Sequence, residues 1–443
     1  MTEMPARPAG EGRMLSEVRN PVLRDYLRQY REIYDSFTGQ VEQFGLPFAQ
    51  SREDEITALR AELKSCGIRE RNMGASLVYG ELCGACDACR TGMGSYTGIL
   101  SLMCHRNCFF CFNPNQEEFV DYADAMKDWR GELQRLHRRS PDMRYIALTG
   151  GEPLLHREDC AEYFRTARNL WPEASLRLYT SGDLLDESML EQLCDAGLEE
   201  IRFSIKLDDT PERSAMVWRN MALALDRIPR VMVEMPVMPD TGEEMTALLA
   251  RLEAMGILGI NLLELCFPYH HAEAFRERGY ALRWPPYRTL YNFWYAGGLP
   301  VDGSELLALK LLESAARNGY RLNVHYCSLE NKHFGQVYQQ NLGAARTDPT
   351  YVMSEKDFYL KTVKVFGRDM REAERLFRAR QRTDWRTERD YLQCSPACAA
   401  LLRKKDMELG ISYNIREFRD GKPVIRELRI DPVQASEFRE EML

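Results

Sequence analysis

Short apolar runs alternate with segments of helical periodicity through the middle of the chain. The runs read "TGILSLM", "YIALTGG", "SLRLYTSG", "EIRFSIK", "RVMVEMPVMP" and "GINLLELC", and segments such as "AEYFRTARNLW" and "LDESMLEQLCDAG" separate them. Apolar strands that alternate with amphipathic helices are typical of βα units with a parallel sheet. Six such units between about residues 97 and 275 predict an α/β fold, a partial (β/α)6-type TIM barrel.

The flanks of this region carry other patterns. The segment "LSEVRNPVLRDYLRQYREIYDSF" has the apolar spacing of an amphipathic helix, which predicts a helical N-terminal extension packed on the barrel. Near the C-terminus, "FYLKTVKVFG", the helical "DMREAERLFRAR" and paired runs around "RDGKPV" predict a small α+β domain with a hairpin turn at Asp420-Gly421. The expected domains are the helical extension 1–80, a metal-binding loop 81–96, the barrel 97–345 and the α+β domain 346–443.

Composition narrows the class of protein. The chain has 443 residues, 44% of them hydrophobic and 28% charged, which is ordinary for a globular protein. Its formal net charge of -8 disfavours a general binder of nucleic acid or anionic membrane. The start "MTEMPARPAGEGRM" has no apolar signal region, and no stretch approaches the roughly 18 apolar residues of a membrane span. We therefore expect a cytoplasmic protein that binds neither nucleic acid nor membrane.

Thirteen cysteines in a reducing compartment indicate metal or redox chemistry rather than disulfides. Six of them form two tight groups, which we call the upstream cysteines (Cys83, Cys86 and Cys89, in "CGACDAC") and the loop cysteines (Cys104, Cys108 and Cys111, in "CHRNCFFC"). Five more lie in helical patterns or at a helix start, where a thiol packs as a small apolar residue. These five, to which we assign no metal, are Cys66, Cys160, Cys194, Cys394 and Cys398.

The spacing of the loop cysteines favours an iron–sulfur cluster. Three thiolates separated by three and two residues can hold three irons of a 4Fe–4S cube and leave the fourth iron open to a small molecule. Zinc is the alternative, although it usually takes ligands from separated segments. About forty residues later, "LTGGEPLL" (Leu148–Leu155) ends the next predicted strand. Because barrel sites form at the carboxyl ends of strands, we expect the two motifs to meet.

Together these motifs resemble the radical SAM superfamily, whose CxxxCxxC motif has an aromatic residue before its last cysteine. The resemblance implies a partial TIM barrel whose 4Fe–4S cluster binds S-adenosylmethionine on the open iron. It also implies reductive cleavage of the sulfonium to methionine and a 5′-deoxyadenosyl radical, followed by hydrogen abstraction. The implied cofactor contacts are Phe110 near adenine, Gly150, Gly151 and Glu152 for the methionine amino group, and Thr180, Ser181, Ser204 and Lys206 for the carboxylate and ribose. Each of the last four is equally well read as a solvated strand-end residue.

More of the chain is similar to a branch of this superfamily described as related to the pyruvate formate-lyase activating enzyme. The similar segments are "CGACDACRTG", "DYADAM", "INLLELCF", "HYCSLENKHFGQ", "ISYNIREF" and "IRELRIDP". This chain differs from the branch in adding Cys89 to an upstream Cys-x-x-Cys and in having Cys266 where the branch has an acidic residue.

The upstream cysteines are spaced to supply three ligands of a second metal site from one loop. Cys327, in "NVHYCS", and Cys266 both end predicted strands, so either could supply the fourth ligand at the barrel mouth. We favour Cys327. The alternative is a structural zinc ion on the same thiols, for which His325 could also serve.

The sequence therefore predicts a radical SAM enzyme that functionalises a C–H bond of a peptide or small-molecule natural-product precursor, with an auxiliary 4Fe–4S cluster. A reducing partner such as flavodoxin or ferredoxin would supply its electron. Alternatives within the class are a glycyl-radical enzyme activase and a radical SAM methyltransferase, although we find no cobalamin-type domain before the barrel. A non-catalytic iron–sulfur or zinc protein is the alternative from another class, and it leaves "TGGEP" unexplained.

Overall fold

The computed structural model describes residues 15–289 and 297–443, which divide into two compact units. Of the described residues, the barrel unit comprises Arg52–Arg283 and 297–332. The flanking unit comprises 15–51, 284–289 and His333–Leu443. The boundaries of the four consecutive domains expected from the sequence stay a prediction.

The strands of the barrel unit form a nine-stranded sheet and a separate pair. They are β1 (Arg69–Arg71), β2 (Ser76–Tyr79), β3 (Ser95–Ile99), β4 (Tyr145–Thr149), β5 (Ser175–Thr180), β6 (Glu200–Phe203), β7 (Arg230–Val237), β8 (Gly259–Glu264), β9 (Cys266–Phe267), β10 (Leu299–Pro300) and β11 (Asn323–Cys327). The large sheet has the order β1-β2-β11-β8-β7-β6-β5-β4-β3, and β9 pairs with β10. Strands β3 to β8 are parallel neighbours, β11 joins β8 in parallel, and β2 is antiparallel to β11.

The six strands expected from the apolar runs are confirmed as β3 to β8. Strands β1 and β3 lie at opposite edges of the sheet, and within the described residues no pairing joins these edges. The sheet is therefore an open, partial barrel, as the alternation of runs predicts.

Helices connect these strands and flank them. They are α1 (Pro21–Glu42), α2 (Glu53–Ser65), α3 (Gly84–Ala88), α4 (Phe119–Tyr122), α5 (Trp129–Arg139), α6 (Arg157–Leu170), α7 (Glu187–Asp195), α8 (Pro211–Leu225), α9 (Gly242–Met255), α10 (Ala272–Glu277), α11 (Ser304–Arg317), α12 (Leu329–Asn341), α13 (Met370–Ala379) and α14 (Pro396–Ala399). Local caps set their limits: Asp186 accepts a hydrogen bond from Met189 N at 2.8 Å to begin α7, and α9 ends at Gly256 with a φ of 76°.

The two faces of the barrel strands differ in polarity. One face is apolar and packs on the helices, where Leu178 of β5 and Ile201 of β6 are fully buried. The opposite face carries buried polar side chains at alternate positions, namely Arg177, Glu200, Arg202, Asn261 and His325. Parallel strands covered on both faces are usually apolar throughout, and buried polar groups need partners. The polar face therefore marks where chemistry is placed.

Residues 69–79 correct the expected helical extension. Strands β1 and β2 lie within it and extend the sheet beyond β11. Leu77 and Tyr79 pack into the core on the helix side, while the Ser76 hydroxyl bonds to His325 on the other face. Strands of three and four residues are too short for periodicity to reveal, so the sequence pattern missed them.

The flanking unit contains an antiparallel sheet with helices. Its strands are β12 (Val352–Met353), β13 (Leu360–Phe366), β14 (Trp385–Thr387), β15 (Tyr391–Cys394), β16 (Glu408–Arg419) and β17 (Lys422–Gln434). The order is β14-β15-β13-β16-β17, and β12 pairs with β13. The hairpin expected at Asp420-Gly421 is confirmed: β16 pairs with β17 around these residues, whose φ angles are 50° and 71°.

Helix α1 belongs to the flanking unit, which corrects the expectation that its apolar face packs on the barrel. Leu23 and Leu27 form a core cluster with Phe366 of β13 and Ile430 of β17. The amphipathic pattern identified the helix and its buried face, but a periodicity does not say which partner covers that face.

The unassigned cysteines have structural surroundings. Cys160 is fully buried in the barrel core, and Cys66 and Cys194 pack against that core. Cys398 lies in the first turn of α14, where its N–H bonds to the Ser395 hydroxyl at 3.1 Å. Among the described residues, no helix is both long enough and apolar enough to cross a membrane.

Candidate functional site

The loop cysteines lie in the segment between β3 and α4. Cys104 is exposed, and Cys108 and Cys111 are half-buried. The Cys111 N–H donates to the Cys108 carbonyl at 3.0 Å, and the Arg106 N–H points to the Cys104 sulfur at 3.4 Å. Burial raises the pKa of all three thiols, and each thiol's pKa is raised further by another thiol of the group. The loop therefore brings the three sulfurs together.

The residues between the cysteines fasten this loop to the ends of β5 and β6. Arg106 makes a bidentate pair with Asp209, with N···O distances of 2.5 and 3.0 Å. His105 Nε2 lies 2.8 Å from Asp183 Oδ2, and the Ser181 hydroxyl donates to the other oxygen of Asp183 at 2.6 Å. Because a bidentate pair fixes orientation as well as distance, the loop has a defined position over the strand ends.

The glycine turn after β4 lies directly against the start of this loop. The Gly151 N–H donates to the Ser101 carbonyl at 3.2 Å, and Asn113 Nδ2 donates to the Gly150 carbonyl at 2.7 Å. Gly150 has a φ of 114°, and a Cβ at Gly151 would come within 1.7 Å of the Met103 carbonyl oxygen. Both positions therefore require glycine, and the two sequence motifs form one hydrogen-bonded unit.

The Glu152 carboxylate is 2% exposed and engaged by protein donors. One oxygen accepts from the Thr180 hydroxyl at 2.7 Å and the Leu154 N–H at 3.1 Å. The other accepts from the Ser181 N–H at 2.7 Å and lies 2.6 Å from the Ser181 hydroxyl, whose one hydrogen is shared between Glu152 and Asp183. Four protein groups therefore surround the carboxylate. In this structure Glu152 thus ties the glycine turn to the end of β5, and its predicted contact with an amino group stays a prediction.

Ser204, Lys206 and Phe110 lie beside the loop. The Lys206 ammonium bonds to the Ser204 hydroxyl and lies 5.8 Å from the centre of the Phe110 ring. Its positive charge lowers the pKa of each loop thiol, against the effect of burial. The structure therefore gathers all the sequence-predicted cofactor residues around one rim, at the carboxyl ends of β3 to β6.

The upstream cysteines lie on and around α3. Cys83 precedes its first residue, Cys86 lies within it and Cys89 follows its last residue, so the thiols occupy successive turns. Cys83 and Cys86 are half-buried and Cys89 is exposed. The loop expected over residues 81–96 therefore contains a short helix, which presents its thiols to the polar face of the barrel sheet.

Arg202 of β6 connects that face to the upstream cysteines. Its side chain is 1% exposed and pairs with the carboxylates of Glu200 and Glu234, both at 2.7 Å. Its Nη2 also donates to Cys83 Sγ at 3.1 Å and Cys86 Sγ at 3.4 Å. Asn261 Nδ2 lies 3.5 Å from the Cys86 sulfur.

The surroundings shift the pKa values of the Cys83 and Cys86 thiols in opposite directions. A hydrogen bond between them raises the pKa of Cys83 and lowers that of Cys86. Arg202 and His325 lower the pKa of Cys86 further, although burial opposes them. Nearby Arg177 is buried, and among the described residues its Nε has no hydrogen-bond partner. A buried guanidinium without a complete set of partners fits a site that receives an anionic group, as a thiolate-bound cluster is.

Cys327 is near the upstream cysteines, whereas Cys266 has other neighbours. Burial raises the pKa of Cys327 to about 12, and Cys89 and Cys86 contribute to the increase. Cys266 has a pKa raised to about 12 by burial and by Glu264, and its sulfur packs against Gly298. The choice of Cys327 as the fourth ligand stays a prediction.

His325 is less suited as a ligand. Its Nδ1 lies 3.1 Å from Asn261 Oδ1 and its Nε2 lies 2.9 Å from the Ser76 hydroxyl, so both ring nitrogens have partners. Within the residues that the structure describes, no three His, Cys, Asp or Glu side chains are arranged to hold a single metal ion. Both cysteine groups nevertheless supply the thiolate donors that iron–sulfur clusters use.

Two kinds of site residue escaped the sequence analysis. The first are the loop anchors Arg106 and His105 with their carboxylate partners. The second are the charged residues of the polar face, Arg202 above all. A signal for the second kind was present: "RLY", "EIR" and "VEM" place a charge inside strands whose parallel pairing predicts burial on both faces.

Comparison with known sequences gives one family match and two similar proteins. Residues 99–252 match the family described as the Radical SAM superfamily. A Methanocaldococcus jannaschii protein named as a glycyl-radical enzyme activating enzyme is 23% identical over 294 residues, which are 64% of this chain and 74% of that protein. The PqqA peptide cyclase of Granulibacter bethesdensis is 30% identical over 114 residues, which are 25% of this chain and 29% of the cyclase.

Among solved structures, Streptococcus suis SuiB bound to S-adenosylmethionine aligns with a TM-score of 0.39 and 13% identity, over 52% of this chain and 50% of SuiB. The family match contains both the loop cysteines and the glycine turn. The family implies an enzyme that uses S-adenosylmethionine and a 4Fe–4S cluster. Residues 99–252 of this chain therefore form a domain that matches the Radical SAM superfamily.

Proposed function

We propose that this radical SAM enzyme cleaves S-adenosylmethionine at a cluster on the loop cysteines and functionalises a C–H bond of a peptide or related natural-product precursor. The observation that carries the site assignment is the hydrogen bonding between the loop and the glycine turn, through Gly151 to Ser101 and Asn113 to Gly150. Two motifs distant in sequence form one rim, with open thiols on one side and a glycine backbone on the other.

The residues of the rim have separable roles in this proposal. The loop cysteines give up their protons and supply three thiolates to a 4Fe–4S cluster. Lys206 offers a positive charge to the carboxylate of the bound cofactor, and Phe110 offers a ring face to its adenine. Gly150 and Gly151 allow close approach of the backbone, while Glu152 holds the turn in place from behind.

When bound, S-adenosylmethionine would supply the radical chemistry: one electron from a reducing partner such as flavodoxin or ferredoxin would cleave it to methionine and a 5′-deoxyadenosyl radical, which would take a hydrogen atom from the substrate to become 5′-deoxyadenosine. The protein's own contribution is to position the groups, and the anchors Arg106 and His105 serve this purpose.

A peptide is the substrate class that we favour. The similarity to a peptide cyclase, at 30% identity over 114 residues, supports it. The net charge of -8 gives no support to a nucleic-acid substrate.

We further propose a second 4Fe–4S cluster held by the upstream cysteines and Cys327. The thiols are placed at three strands of the same sheet. Cys83 contacts Glu200 at the start of β6, Cys86 contacts Asn261 within β8, and Cys327 ends β11. Four thiolates complete the ligand set of a cube. Zinc on the same thiols is the competing assignment.

A glycyl-radical activase is the second candidate, because the Methanocaldococcus relative carries that name and matches over 74% of its length. An activase would use the same rim, with a glycine Cα–H of a partner enzyme as the substrate bond. The two candidates differ in their product: a modified peptide in one case, and a stable protein radical visible by electron paramagnetic resonance (EPR) in the other.

The test is anaerobic reconstitution with iron and sulfide, followed by dithionite and S-adenosylmethionine. We expect 5′-deoxyadenosine, and about eight irons per chain if both cubes form. Absence of 5′-deoxyadenosine from fully loaded protein would overturn the site assignment, and zinc in place of four irons would overturn the second cluster. A peptide substrate should raise the rate of 5′-deoxyadenosine formation and change mass, whereas a protein radical on a glycyl-radical enzyme would favour the activase.

A further inference from the structure

Arg202 makes more contacts than charge pairing requires. Its Nε bonds to Glu200 and its Nη1 to Glu234, each at 2.7 Å, so two carboxylates already neutralise the buried cation. The remaining N–H groups point to sulfur: Nη2 lies 3.1 Å from Cys83 Sγ, and Nη1 lies 3.5 Å from Cys86 Sγ. A guanidinium has five N–H donors in a fixed fork, so the two carboxylates also fix the direction of the donors toward sulfur.

Asn261 extends this arrangement. Its Oδ1 lies 3.1 Å from His325 Nδ1, and the other ring nitrogen of His325 lies 2.9 Å from the Ser76 hydroxyl. This chain of bonds sets the orientation of the amide, so that Nδ2 faces Glu234 at 2.7 Å and Cys86 Sγ at 3.5 Å. The Cys86 sulfur therefore receives donors from two strands, β6 and β8.

We propose that Arg202, assisted by Asn261, is a positioning residue that raises the reduction potential of the auxiliary cluster through N–H···S hydrogen bonds. The inference rests on the proposed function, because it requires a cluster on the upstream cysteines. Hydrogen bonds to cysteine sulfur withdraw electron density from the iron, and they are one of the determinants of cluster potential. The reduced cube, which carries one more negative charge, gains more from these donors than the oxidised cube does.

Arg230 provides a matched control. It begins β7, and its Nε donates to Glu200, the carboxylate that Arg202 also contacts, at 3.3 Å. Among the described residues its hydrogen bonds go to Glu200, Ser175 and Glu199, with none to sulfur. Changing either arginine to lysine retains the charge, but only Arg202→Lys removes the directed fork from Cys83 and Cys86.

The experiment is an EPR-monitored redox titration of the full-length, reconstituted protein with dithionite, which supplies the electron that each cube takes up. Added S-adenosylmethionine perturbs only the signal of the cluster on the loop cysteines, so it identifies the auxiliary signal by exclusion. We expect Arg202→Lys to shift the auxiliary potential to a more negative value, Asn261→Ala to shift it less in the same direction, and Arg230→Lys to leave it near the native value. The potential of the other cluster should not change.

Equal shifts in the Arg202 and Arg230 variants, or no shift in either, would overturn the inference while leaving the cluster itself in place. A native protein with about four irons would instead overturn the auxiliary cluster, and this inference with it, while 5′-deoxyadenosine formation would still support the main site. If Arg202→Lys does not fold, Asn261→Ala decides: an unchanged auxiliary potential in that variant would count against the proposal.

Discussion

The two cysteine groups are held in place by different kinds of contact. The loop cysteines are positioned through the residues between them, since His105 bonds to Asp183 and Arg106 to Asp209. In the described chain no side-chain N–H is hydrogen-bonded to their sulfurs, and Cys104 receives one backbone N–H. Two sulfurs of the upstream cysteines, those of Cys83 and Cys86, by contrast accept hydrogen bonds from Arg202, and Cys86 also from Asn261.

This difference suits two kinds of cluster. A cluster that exchanges a small molecule at one iron needs ligands that are fixed from behind, with the approach to the iron left open. A permanent fourth cysteine, surrounded by directed donors on a buried polar face, suits a cluster that changes charge without changing ligands. We therefore propose that the loop exchanges the cofactor and that the barrel interior stores an electron, and the following predictions test that proposal.

The largest effect is expected at the loop cysteines. Replacing Cys104, Cys108 or Cys111 with Ala should abolish 5′-deoxyadenosine formation, because each change removes one of three thiolates from the cluster with the open iron. Iron content should fall to about four per chain, those of the auxiliary cube. The control is Cys194→Ala, a thiol packed against the barrel core that should keep both properties. Retained cleavage in any of the three variants would contradict the assignment.

Replacing all three upstream cysteines with Ala should have the next largest effect. Iron should fall from about eight to about four per chain, while slow cleavage of S-adenosylmethionine continues at the intact loop cluster. Turnover of the true substrate should fail. Metal analysis and 5′-deoxyadenosine measured on the same sample check both parts, and a second metal identified as zinc would contradict them.

The fourth ligand is tested by a pair of single variants. Cys327→Ala should open a coordination position and change the EPR signal of the auxiliary cluster, since Cys327 lies near Cys86 and Cys89. Cys266→Ala should leave that signal intact, because its sulfur packs against Gly298 instead. If Cys266 alone proves essential to the second cluster, Cys327 returns to being a buried strand thiol.

Much of the fold follows from local patterns. Strands β3 to β8 each have one apolar face that packs on helices, and their repeated runs reveal them. The Asp420-Gly421 turn predicts its hairpin because its residues tolerate positive φ. Strands β1 and β2 could not be recognised, since three or four residues carry too little periodicity and their stability comes from pairing with β11.

The site was predictable only in part, for a related reason. A metal motif is read from spacing along one segment, as with the loop cysteines and the glycine turn. Arg202 meets Cys86 across 116 positions of sequence, and only the sheet brings them together. Thr180 and Ser181 are hydrogen-bonded to Glu152. These bonds likewise depend on β4 and β5 ending side by side, which the sequence does not reveal.

Glu152→Gln should weaken cofactor binding without altering the cluster spectrum. The amide would place a donor where Ser181 or Thr180 already donates, and an unsatisfied buried group costs roughly 1–3 kcal/mol. Because the glycine turn then loses part of its attachment to the end of β5, the affinity for S-adenosylmethionine should fall, measured by equilibrium binding to reconstituted protein. The exposed Glu158→Gln, on α6, is the matched control and should bind normally. An unchanged affinity in the Glu152 variant would mean that the glycine turn has a structural role and does not bind the cofactor.

The smallest effect is expected at Asn331, which completes the surroundings of the auxiliary site. Its Nδ2 donates to the Cys327 sulfur at 3.2 Å, and its Oδ1 accepts from Asn72 at 2.6 Å, so the amide orientation is fixed from both sides. Removing a partner that orients a metal ligand typically weakens the site tenfold or more, so Asn331→Ala should release auxiliary iron to a chelator about tenfold faster. The exposed Gln336→Ala, on the same helix, should release it at the native rate.

Asn331→Asp should be at least as labile as Asn331→Ala, because its carboxylate keeps the bond to Asn72 but repels the thiolate. Equal rates in all these variants would mean that Cys327 is not held as a ligand by α12, and the distinction between sulfurs bonded to donors and sulfurs left open would then rest on Arg202 and Asn261 alone.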